Sequence, residues 1–323
     1  MKAMVQHKYG EPEAVLELQD IAMPVVKDDE VLVRVHAASV HIGDFILVRG
    51  VPYVARVATG MPKPKHHVPG SDIAGTVEAV GKDVTQLRLG DEVFGWCTGA
   101  FAEYACAAED HFLPKPANLT FEQAAAIGVS ASIALQLLRD QAKIQPGQKV
   151  LINGASGGVG TFAVQIAKSF GADVTGVCST RNVDLVRSIG ADHVIDYTRE
   201  DFTSGTQHYD LILDNVGTHS LLEYKRVLNP KGIYVMIGST TIGNWFAWLA
   251  TPIEGLMLSP FVSQKFGMFV AELNKEDLAT LGDLMQSGKV IPVIDTRYKL
   301  SATPEALRYL EKGHARGKVV LVP

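Results

Sequence analysis

The pattern of apolar and polar positions changes character after residue 140. From there on, short apolar runs, which predict strands, alternate with stretches in which apolar residues recur every three or four positions, which predict helices. This alternation predicts a parallel sheet with helices on both of its faces. The predicted strands are 150–152, 173–178, 193–195, 209–213 and 233–237, and the predicted helices are 158–170, 183–189 and 221–228.

The first 120 residues instead show short strand patterns at close spacing, at 31–36, 73–80, 91–96 and 101–104. Residues 51–68 contain several prolines, which remove backbone donors, and a loop is predicted there. At the end of the chain, a helix over 272–287 and strands over 290–295 and 318–322 are expected to return to this first region. An alanine- and leucine-rich helical pattern over 121–140 marks the boundary between the two regions.

The composition is that of a soluble globular protein, with 47% apolar and 20% charged residues in 323, enough for about two domains. The net charge of −5 gives no electrostatic reason to bind nucleic acid or an anionic membrane. Cys97, Cys106 and Cys178 form no paired motif, which favours a reducing, cytoplasmic compartment. No signal-peptide core follows Met1, and prolines interrupt the apolar stretch 245–262, so no integral membrane segment is predicted.

A glycine turn follows the strand at 150–152. A strand, a tight turn and a helix place backbone N–H groups and a helix N-terminus against a pyrophosphate. In this chain Ala155 stands where the strict G-x-G-x-x-G pattern has its first glycine. Gly157 would let the backbone approach the phosphates, and Gly160 would let the helix pack on the strand. The alternative is a purely structural turn, because any tight turn favours glycine. The predicted binding residues are Ala155, Ser156, Gly157, Gly158, Val159 and Gly160.

The next strand ends in Ser179-Thr180-Arg181. In an NAD site, an acidic residue about 20 positions beyond the glycines binds the adenosine ribose 2′-hydroxyl. A carboxylate there would repel a 2′-phosphate, whereas Ser179 can donate to the phosphate and Arg181 can neutralise it. The sequence therefore favours NADPH over NADH. The alternative is that Arg181 only opens the next helix at the surface.

Two later strands are followed by polar loops. In an open α/β sheet, the loops at the carboxyl ends of the strands line the ligand crevice. Asn215 and Val216 follow one strand, and Ile237 and Ser239 follow the next, so these four are predicted to flank the ribose and the nicotinamide. Asp214 is interpreted as a carboxylate that stabilises its own loop.

Five segments together resemble the medium-chain dehydrogenase/reductase superfamily, and specifically its zinc-free, zeta-crystallin-like quinone oxidoreductase branch. They are PGSDIAGTV at 69–77, GDEVFG at 90–95, the turn at 155–160, GADHVIDY at 190–197 and GHARGKVV at 313–320. The resemblance runs nearly end to end. It implies an α/β fold with a GroES-like, β-rich catalytic domain from residues 1–123 and 271–323. A Rossmann domain with a doubly wound parallel sheet, residues 124–270, would bind NADP(H). The family expectation for assembly is a homodimer.

The positions of the zinc ligands decide the branch. In the zinc alcohol dehydrogenases, to which this branch is similar, a Cys stands three residues before an Asp; here His41 precedes Asp44. The second ligand, a His, falls on Ser71, and the third, a Cys, falls near residues 128–130. A catalytic zinc needs three protein ligands and a water, and one imidazole does not supply them. The four-cysteine structural zinc lobe is missing as well. A metal-free protein is therefore predicted.

Without zinc, the accessible reaction is hydride transfer from C4 of NADPH to an electron-poor carbon of a quinone or an α,β-unsaturated carbonyl. The resulting anion needs a hydrogen-bond donor and a proton. The hypothesis is that Tyr53, with His41, lines the pocket and donates to the substrate oxygen. In similar quinone reductases an Asn often occupies the place of His41, and a Tyr follows the Arg-Gly of the same loop, as Tyr53 loosely does here. The alternative for Tyr53 is a partly buried loop aromatic.

The resemblance implies three more cofactor contacts. Ser130 would lie near the nicotinamide end, Tyr197 against the 2′-phosphate beside Arg181, and Lys318 against the cofactor as well. Core packing is the alternative for Tyr197. The apolar segment 245–248 is expected to cover the substrate pocket or a dimer surface.

The leading function is therefore a cytoplasmic, zinc-independent NADPH-dependent reductase of quinones or enones. One alternative is an enoyl thioester or alkenal reductase of the same superfamily. The other is a non-catalytic NADPH-binding protein. The acidic charge balance disfavours nucleic acid as a partner.

Overall fold

The structure, a computed structural model, describes residues 1–53, 56–238, 264–269 and 271–323. Its strands are β1 (Lys2–Gln6), β2 (Leu16–Asp20), β3 (Glu30–Val40), β4 (Asp72–Val80), β5 (Glu92–Trp96), β6 (Tyr104–Ala108), β7 (Phe112–Pro114), β8 (Lys149–Asn153), β9 (Asp173–Cys178), β10 (His193–Asp196), β11 (Tyr209–Asp214), β12 (Leu228–Met236), β13 (Lys265–Met268), β14 (Ile294–Lys299) and β15 (Lys318–Val322). Its helices are α1 (Pro12–Val15), α2 (Ile42–Arg49), α3 (Arg56–Thr59), α4 (Phe121–Ala125), α5 (Gly128–Gln136), α6 (Gly158–Ser169), α7 (Val183–Ser188), α8 (Leu221–Val227), α9 (Lys275–Gln286) and α10 (Thr303–Glu311).

The chain divides into two compact units, residues 1–132 with 272–323, and residues 133–271. The domain bounds expected from the sequence, at residues 124 and 270, stay a prediction. In the part of the chain that the structure describes, no helix is both long and apolar enough to cross a membrane.

The first unit is built on a β-sheet in the order β14-β15-β3-β4-β5-β7, with β6 paired to β3. Its long strand β3 runs antiparallel to β4, β6 and β15. The register places Ser39 opposite Asp72, and Val40 opposite Val319. Ser39 and Asp72 are therefore neighbours in the interior, and buried Lys318 precedes Val319 on β15.

The second unit holds a parallel sheet whose order is β10-β9-β8-β11-β12-β13. The strand order reverses between β8 and β11, and ligands of open α/β sheets bind at such a switch point. At this edge the last residues of the two strands, Asn153 and Asp214, lie opposite each other. The predicted fold class, a GroES-like domain with a Rossmann-type parallel sheet, is confirmed.

Four predicted elements differ in detail from the structure. The helix over 121–140 divides into α4, α5 and a π-helical turn at Leu137–Gln141. The strand expected over 290–295 begins only at Ile294, because Pro292 lacks a donor for the ladder. The strand over 101–104 becomes β6, and Ala102 forms only an isolated bridge with Ala3. The loop at 51–68 contains α3.

Candidate functional site

The glycine turn after β8 has the geometry of a phosphate cradle. Gly154 has a φ of +78°, a left-handed conformation that favours glycine. Gly160 packs so closely on the turn that a Cβ there would lie 2.1 Å from the Gly154 carbonyl oxygen. The hydrogen bond from the Thr161 N–H to the Gly157 carbonyl opens the ladder of α6 at 3.0 Å. The amides of residues 158–160 precede that bond, so they point out of the helix N-terminus.

Gly157 differs from the other glycines of the turn. A Cβ on Gly157 would meet only the Gly154 carbonyl oxygen, at 3.4 Å, which is an ordinary contact. Its φ of −83° is also open to any residue. Packing against the described residues therefore does not require glycine at this position, and the space beside it is open to the close approach of a ligand.

An acidic residue that the sequence did not single out lies beside the end of β9. Asp196, at the end of β10, lies directly opposite Cys178, the last residue of β9. Its carboxylate accepts hydrogen bonds from the Thr180 hydroxyl at 2.6 Å and the Thr198 hydroxyl at 2.8 Å. The Thr180 hydrogen bond is the main reason why the pKa of Asp196 is lowered. Asp196 therefore lies on the strand next to β9, whose end is where an NAD site carries its acidic residue. Its oxygens already accept hydrogen bonds from the hydroxyls of Thr180 and Thr198.

The residues predicted for the adenosine phosphate surround the same strand end. Ser179 is half-buried and Arg181 is exposed. Tyr197 donates its backbone N–H to the Cys178 carbonyl at 3.1 Å, and its side chain is 58% exposed. The side chain of Tyr197 is therefore not part of the core, which removes the alternative considered for it.

Asn182, which the sequence analysis did not select, links this strand end to the glycine turn. Its Nδ2 donates to Ser156 Oγ at 2.9 Å and to Ser179 Oγ at 3.4 Å. The residue is 5% exposed, and its Oδ1 is buried with no hydrogen-bond partner among the described residues. Nothing in the local sequence marks Asn182, because its role depends on a serine 26 positions away.

Asp214 organises the loop after β11. Its side chain is fully buried, and the carboxylate accepts hydrogen bonds from two backbone amides of its own loop, as the sequence interpretation expects. Burial raises the pKa of Tyr224, so that its hydroxyl stays a donor to this carboxylate. The five donors are Asn153 Nδ2 at 2.9 Å, the Val216 and Gly217 amides at 3.0 Å each, and the hydroxyls of Tyr224 at 2.6 Å and Tyr234 at 2.9 Å.

This loop meets the glycine turn and the end of β12. Asn215 donates from Nδ2 to the Asn153 carbonyl at 2.9 Å, while its Oδ1 is buried and finds no partner in the described part of the chain. A Cβ on Gly154 would lie 2.9 Å from Val216. Ile237 donates its N–H to the last carbonyl of β11 at 2.8 Å. The cradle and the unpaired acceptors of Asn182 and Asn215 fit a phosphate-containing ligand that carries hydroxyl or amide donors.

Two sequence expectations cannot be placed in this site. Ser239 and the apolar segment 245–248 lie outside the described residues.

The first unit contains a cluster of buried polar residues where β3, β4 and β15 meet. Asp72 accepts hydrogen bonds from Ser39 Oγ and from the Val129 N–H at the start of α5, both at 3.1 Å. Lys318 Nζ lies 3.8 Å from Asp72 Oδ2 and donates to Ser130 Oγ at 2.9 Å. Asp72, Ser130 and Lys318 are each 3% exposed or less. The structure therefore brings together Ser130 and Lys318, which the sequence analysis selected separately.

Burial shifts the pKa of one group in this cluster, Lys318, and of a neighbouring group, Asp44. Burial lowers the pKa of Lys318, while Asp72 and Asp44 act in the opposite direction. Burial also raises the pKa of Asp44, against the effect of His41.

His41 lies beside this cluster. Its Nε2 is 3.0 Å from Ser71 Oγ and 3.5 Å from Asp44 Oδ1, and its backbone N–H donates to Asp44 Oδ2 at 2.9 Å. Two positions that hold zinc ligands in the similar alcohol dehydrogenases are thus joined by a hydrogen bond between an imidazole and a hydroxyl. The third region, residues 128–130, presents a backbone amide and a serine. Within the described ranges, no group of three or more His, Cys, Asp or Glu side chains is arranged to hold a metal ion.

Tyr53 is held by a separate set of contacts. Its ring stacks on the Arg56 guanidinium, 4.6 Å from the ring centroid, and the same guanidinium covers Tyr9 at 4.4 Å. Arg56 is fixed in turn by a 2.8 Å hydrogen bond from its Nε to the Gly50 carbonyl. The side chain of Tyr53 is 70% exposed, so it is not the partly buried aromatic of the alternative interpretation.

Asp44→Asn should change how stability depends on pH. The pKa of Asp44 is higher in the folded protein than in the unfolded chain. Its protonation therefore adds to the free energy of unfolding, and this contribution is complete below about pH 4. That contribution is lost as the pH rises through the folded pKa, with a slope of at most about 1.4 kcal/mol per pH unit. Urea unfolding between pH 4 and pH 8 should show the decline in the wild type and a flatter profile in Asp44→Asn.

The control for this prediction is Asp91→Asn, because Asp91 also accepts a backbone N–H, at 2.8 Å, but is not deeply buried. Its profile should follow that of the wild type. Parallel profiles for the wild type and Asp44→Asn would contradict the assignment.

Comparison with known proteins shows the family. Residues 27–117 match the alcohol dehydrogenase GroES-like domain family, and residues 189–321 match the zinc-binding dehydrogenase family. The chain is 34% identical to 2-methylene-furan-3-one reductase of Solanum lycopersicum, over 100% of this chain and 79% of that protein. It is 32% identical to the quinone oxidoreductase of Homo sapiens, over 100% of this chain and 98% of that protein.

The structure is also similar to that of the quinone oxidoreductase from Coxiella burnetii. The TM-score is 0.85 at 31% identity, over 100% of this chain and 99% of that one. The chain belongs to the medium-chain dehydrogenase/reductase superfamily and, within it, to the quinone oxidoreductase-like branch.

Proposed function

We propose that this protein is a reductase that transfers hydride from NADPH to an electron-poor carbon of a quinone or an α,β-unsaturated carbonyl, without zinc. One observation carries the proposal: at the positions of the zinc ligands, this member of the superfamily has His41 hydrogen-bonded to Ser71. The third position lies at the start of α5, where the Val129 amide binds the Asp72 carboxylate. The relatives named as a quinone oxidoreductase and a furanone reductase support this substrate class.

The proposed cofactor is NADP(H), which supplies the hydride when bound. The turn 155–160 holds the pyrophosphate through its backbone amides, because the open position at Gly157 allows close approach. The unpaired Oδ1 of Asn215 accepts from a ligand donor at the switch point of the sheet. The assigned contacts are Ser179, Arg181 and Tyr197 for the 2′-phosphate, Asn215, Val216, Ile237 and Ser239 for the ribose and nicotinamide, and Ser130 and Lys318 as further contacts.

The proposal includes a preference for NADPH over NADH. Arg181 supports it, because a guanidinium neutralises a phosphate. Asp196, which lies opposite the last residue of β9, is an acid that would oppose it. Its carboxylate already accepts from Thr180 and Thr198, so it has less capacity to bind a ribose hydroxyl.

The proposed proton and hydrogen-bond donors to the substrate oxygen are Tyr53 and His41. Tyr53→Phe should lower kcat by about tenfold with an enone substrate, because it removes one hydrogen bond to a developing anion. The phenylalanine ring can keep the stacking on Arg56, so the loop should hold its conformation.

Tyr9→Phe is the matched control for Tyr53→Phe. Tyr9 packs on the same guanidinium, but its hydroxyl bonds to the protein, at 2.8 Å from Thr59 Oγ1 and 2.9 Å from the Gly60 carbonyl. An unchanged kcat in Tyr53→Phe with every accepted enone would remove Tyr53 from the mechanism.

The direct test of the function follows NADPH and NADH oxidation by absorbance after dialysis against a chelator. The acceptors are ortho- and para-quinones, alkenals and an enoyl thioester, so that the thioester alternative is tested together with the main proposal. The expected result is chelator-resistant turnover that is faster with NADPH. A zinc-dependent alcohol dehydrogenase treated in the same way should lose activity. Tight NADPH binding with no turnover of any acceptor would favour the alternative of a non-catalytic binding protein.

The proposed assembly is a homodimer in the cytoplasm. In the described residues β13 lies at the edge of the parallel sheet, and an open edge strand favours pairing with another chain. Sedimentation velocity of the purified protein measures its oligomeric state directly.

Burial raises the pKa of Cys106 and of Cys178 to about 11, so both stay as unreactive thiols, in keeping with a reducing compartment.

A further inference from the structure

We propose that Asn182 is a positioning residue that converts the hydroxyls of Ser156 and Ser179 into donors for the 2′-phosphate of the cofactor. The inference rests on the proposed use of NADP(H). It assigns a specificity role to a residue that lies outside the glycine pattern and contacts it through Ser156.

The geometry fixes the direction of the hydrogen bonds. The amide Nδ2 of Asn182 can only donate, and it lies 2.9 Å from Ser156 Oγ and 3.4 Å from Ser179 Oγ. Each serine oxygen therefore accepts from the amide and keeps its own hydrogen for another acceptor. A phosphate monoester offers only acceptors at neutral pH. The two serines belong to different loops, one to the glycine turn and one to the end of β9, so the amide sets both hydroxyls for the same ligand.

The stability of the fold does not account for this amide. Asn182 is 95% buried, since it is 5% exposed, and its Oδ1 has no partner among the described residues. A buried acceptor that has no hydrogen bond within the protein lowers stability, so the packing of the fold does not explain an amide at this position. The positioning of Ser156 and Ser179 explains it.

A carboxylate of the same size would reverse the arrangement. In Asn182→Asp the carboxylate would accept from Ser156 and Ser179, so both hydroxyl hydrogens would be used within the protein. It would also add a negative charge beside the phosphate. Asp196, the acid at the end of β10, does not compete for the serines in this way, because Thr180 and Thr198 donate to it.

The test measures binding of two cofactor fragments to the full-length protein by calorimetry. The fragments are 2′,5′-ADP, which carries the 2′-phosphate, and 5′-AMP, which lacks it. Asn182→Asp should weaken 2′,5′-ADP binding at least tenfold and 5′-AMP binding less than about threefold, because only the former loses hydrogen bonds to a charged group. The matched control is Asn118→Asp, which removes a donor to the Met285 carbonyl elsewhere in the chain and should change neither affinity.

A second variant separates positioning from charge. When Asn182→Ala is the only substitution, it should weaken 2′,5′-ADP binding severalfold. When it is added to a variant that carries Ser156→Ala and Ser179→Ala, it should not weaken binding further. Equal losses for both fragments, or an undiminished effect of Asn182→Ala in the serine-free background, would overturn the inference. Thermal melting of each variant confirms that it is folded.

The outcomes also separate this inference from the function on which it rests. If the wild type binds 2′,5′-ADP more tightly than 5′-AMP but Asn182→Asp keeps that preference, the positioning role is wrong and the cofactor assignment stands. If the wild type binds neither NADPH nor either fragment, the cofactor assignment falls, and this inference falls with it.

Discussion

Asp214→Ala should lower the free energy of unfolding by at least about 4 kcal/mol, the largest effect expected in this chain. Asp214 is fully buried and is the shared acceptor for five donors. Alanine leaves the hydroxyls of Tyr224 and Tyr234 buried without this partner, and each such group costs about 1–3 kcal/mol. It also frees the loop that carries Asn215. Urea unfolding followed by fluorescence measures the loss.

Two milder variants keep this prediction testable if Asp214→Ala does not fold. Tyr224→Phe removes one of the five donors to Asp214 and leaves no buried hydroxyl without its acceptor. It should therefore lower the free energy of unfolding by only about 1 kcal/mol. Asp210→Ala is the matched control on the same strand. Asp210 accepts from the Lys149 amide and from Asn229 Nδ2, but it is not fully buried, so its loss should cost about 1–2 kcal/mol. Equal losses for Asp214→Ala and Asp210→Ala would contradict the role assigned to Asp214.

Arg181→Ala should weaken NADPH binding by about 30- to 100-fold and change NADH binding by less than about threefold. In the proposed site the guanidinium neutralises the 2′-phosphate that only NADPH carries, and a hydrogen bond to a charged group contributes about 1.5–3 kcal/mol. The measurement is the dissociation constant of each dinucleotide, followed by fluorescence at fixed ionic strength. The matched control is Arg199→Ala, because Arg199 is an exposed cation near the same strand end and pairs with Asp196 at 3.4 Å.

In Arg199→Ala, NADPH binding should stay within about threefold of the wild type, because exposed ion pairs contribute little. A parallel loss of NADPH and NADH affinity in Arg181→Ala would show that Arg181 acts on the fold of the site and not on the phosphate. An unchanged NADPH affinity would show that another group recognises the phosphate.

Local patterns in the sequence were sufficient for the parallel sheet and the glycine turn. Apolar runs and helical spacing are properties of neighbouring residues, and Gly160 has a packing reason that the pattern already contains. The broken helix over 121–140 was not predictable in this way. A Cβ on Gly128 would lie 2.1 Å from Asp72 Oδ1, so the start of α5 depends on a carboxylate from β4.

The side-chain clusters depend on contacts that no local pattern records. Ser130 and Lys318 were selected separately from the sequence, and they are 188 positions apart. They meet where β15 pairs with β3 and where the start of α5 binds Asp72 of β4. Asn182 and Asp196 were missed for the same reason. Each one acts on a residue of another loop or strand, Ser156 in the first case and Thr180 in the second.

The most direct test of the proposed reaction is the fate of deuterium from NADPH labelled at C4. The labelled cofactor and an enone substrate are incubated with the chelator-treated protein, and the product is analysed by NMR and mass spectrometry. The expected product is a saturated ketone with one deuterium at the former β-carbon of the enone. Deuterium at the carbonyl carbon of an alcohol product, or product formation only after zinc is restored, would contradict the proposed reaction.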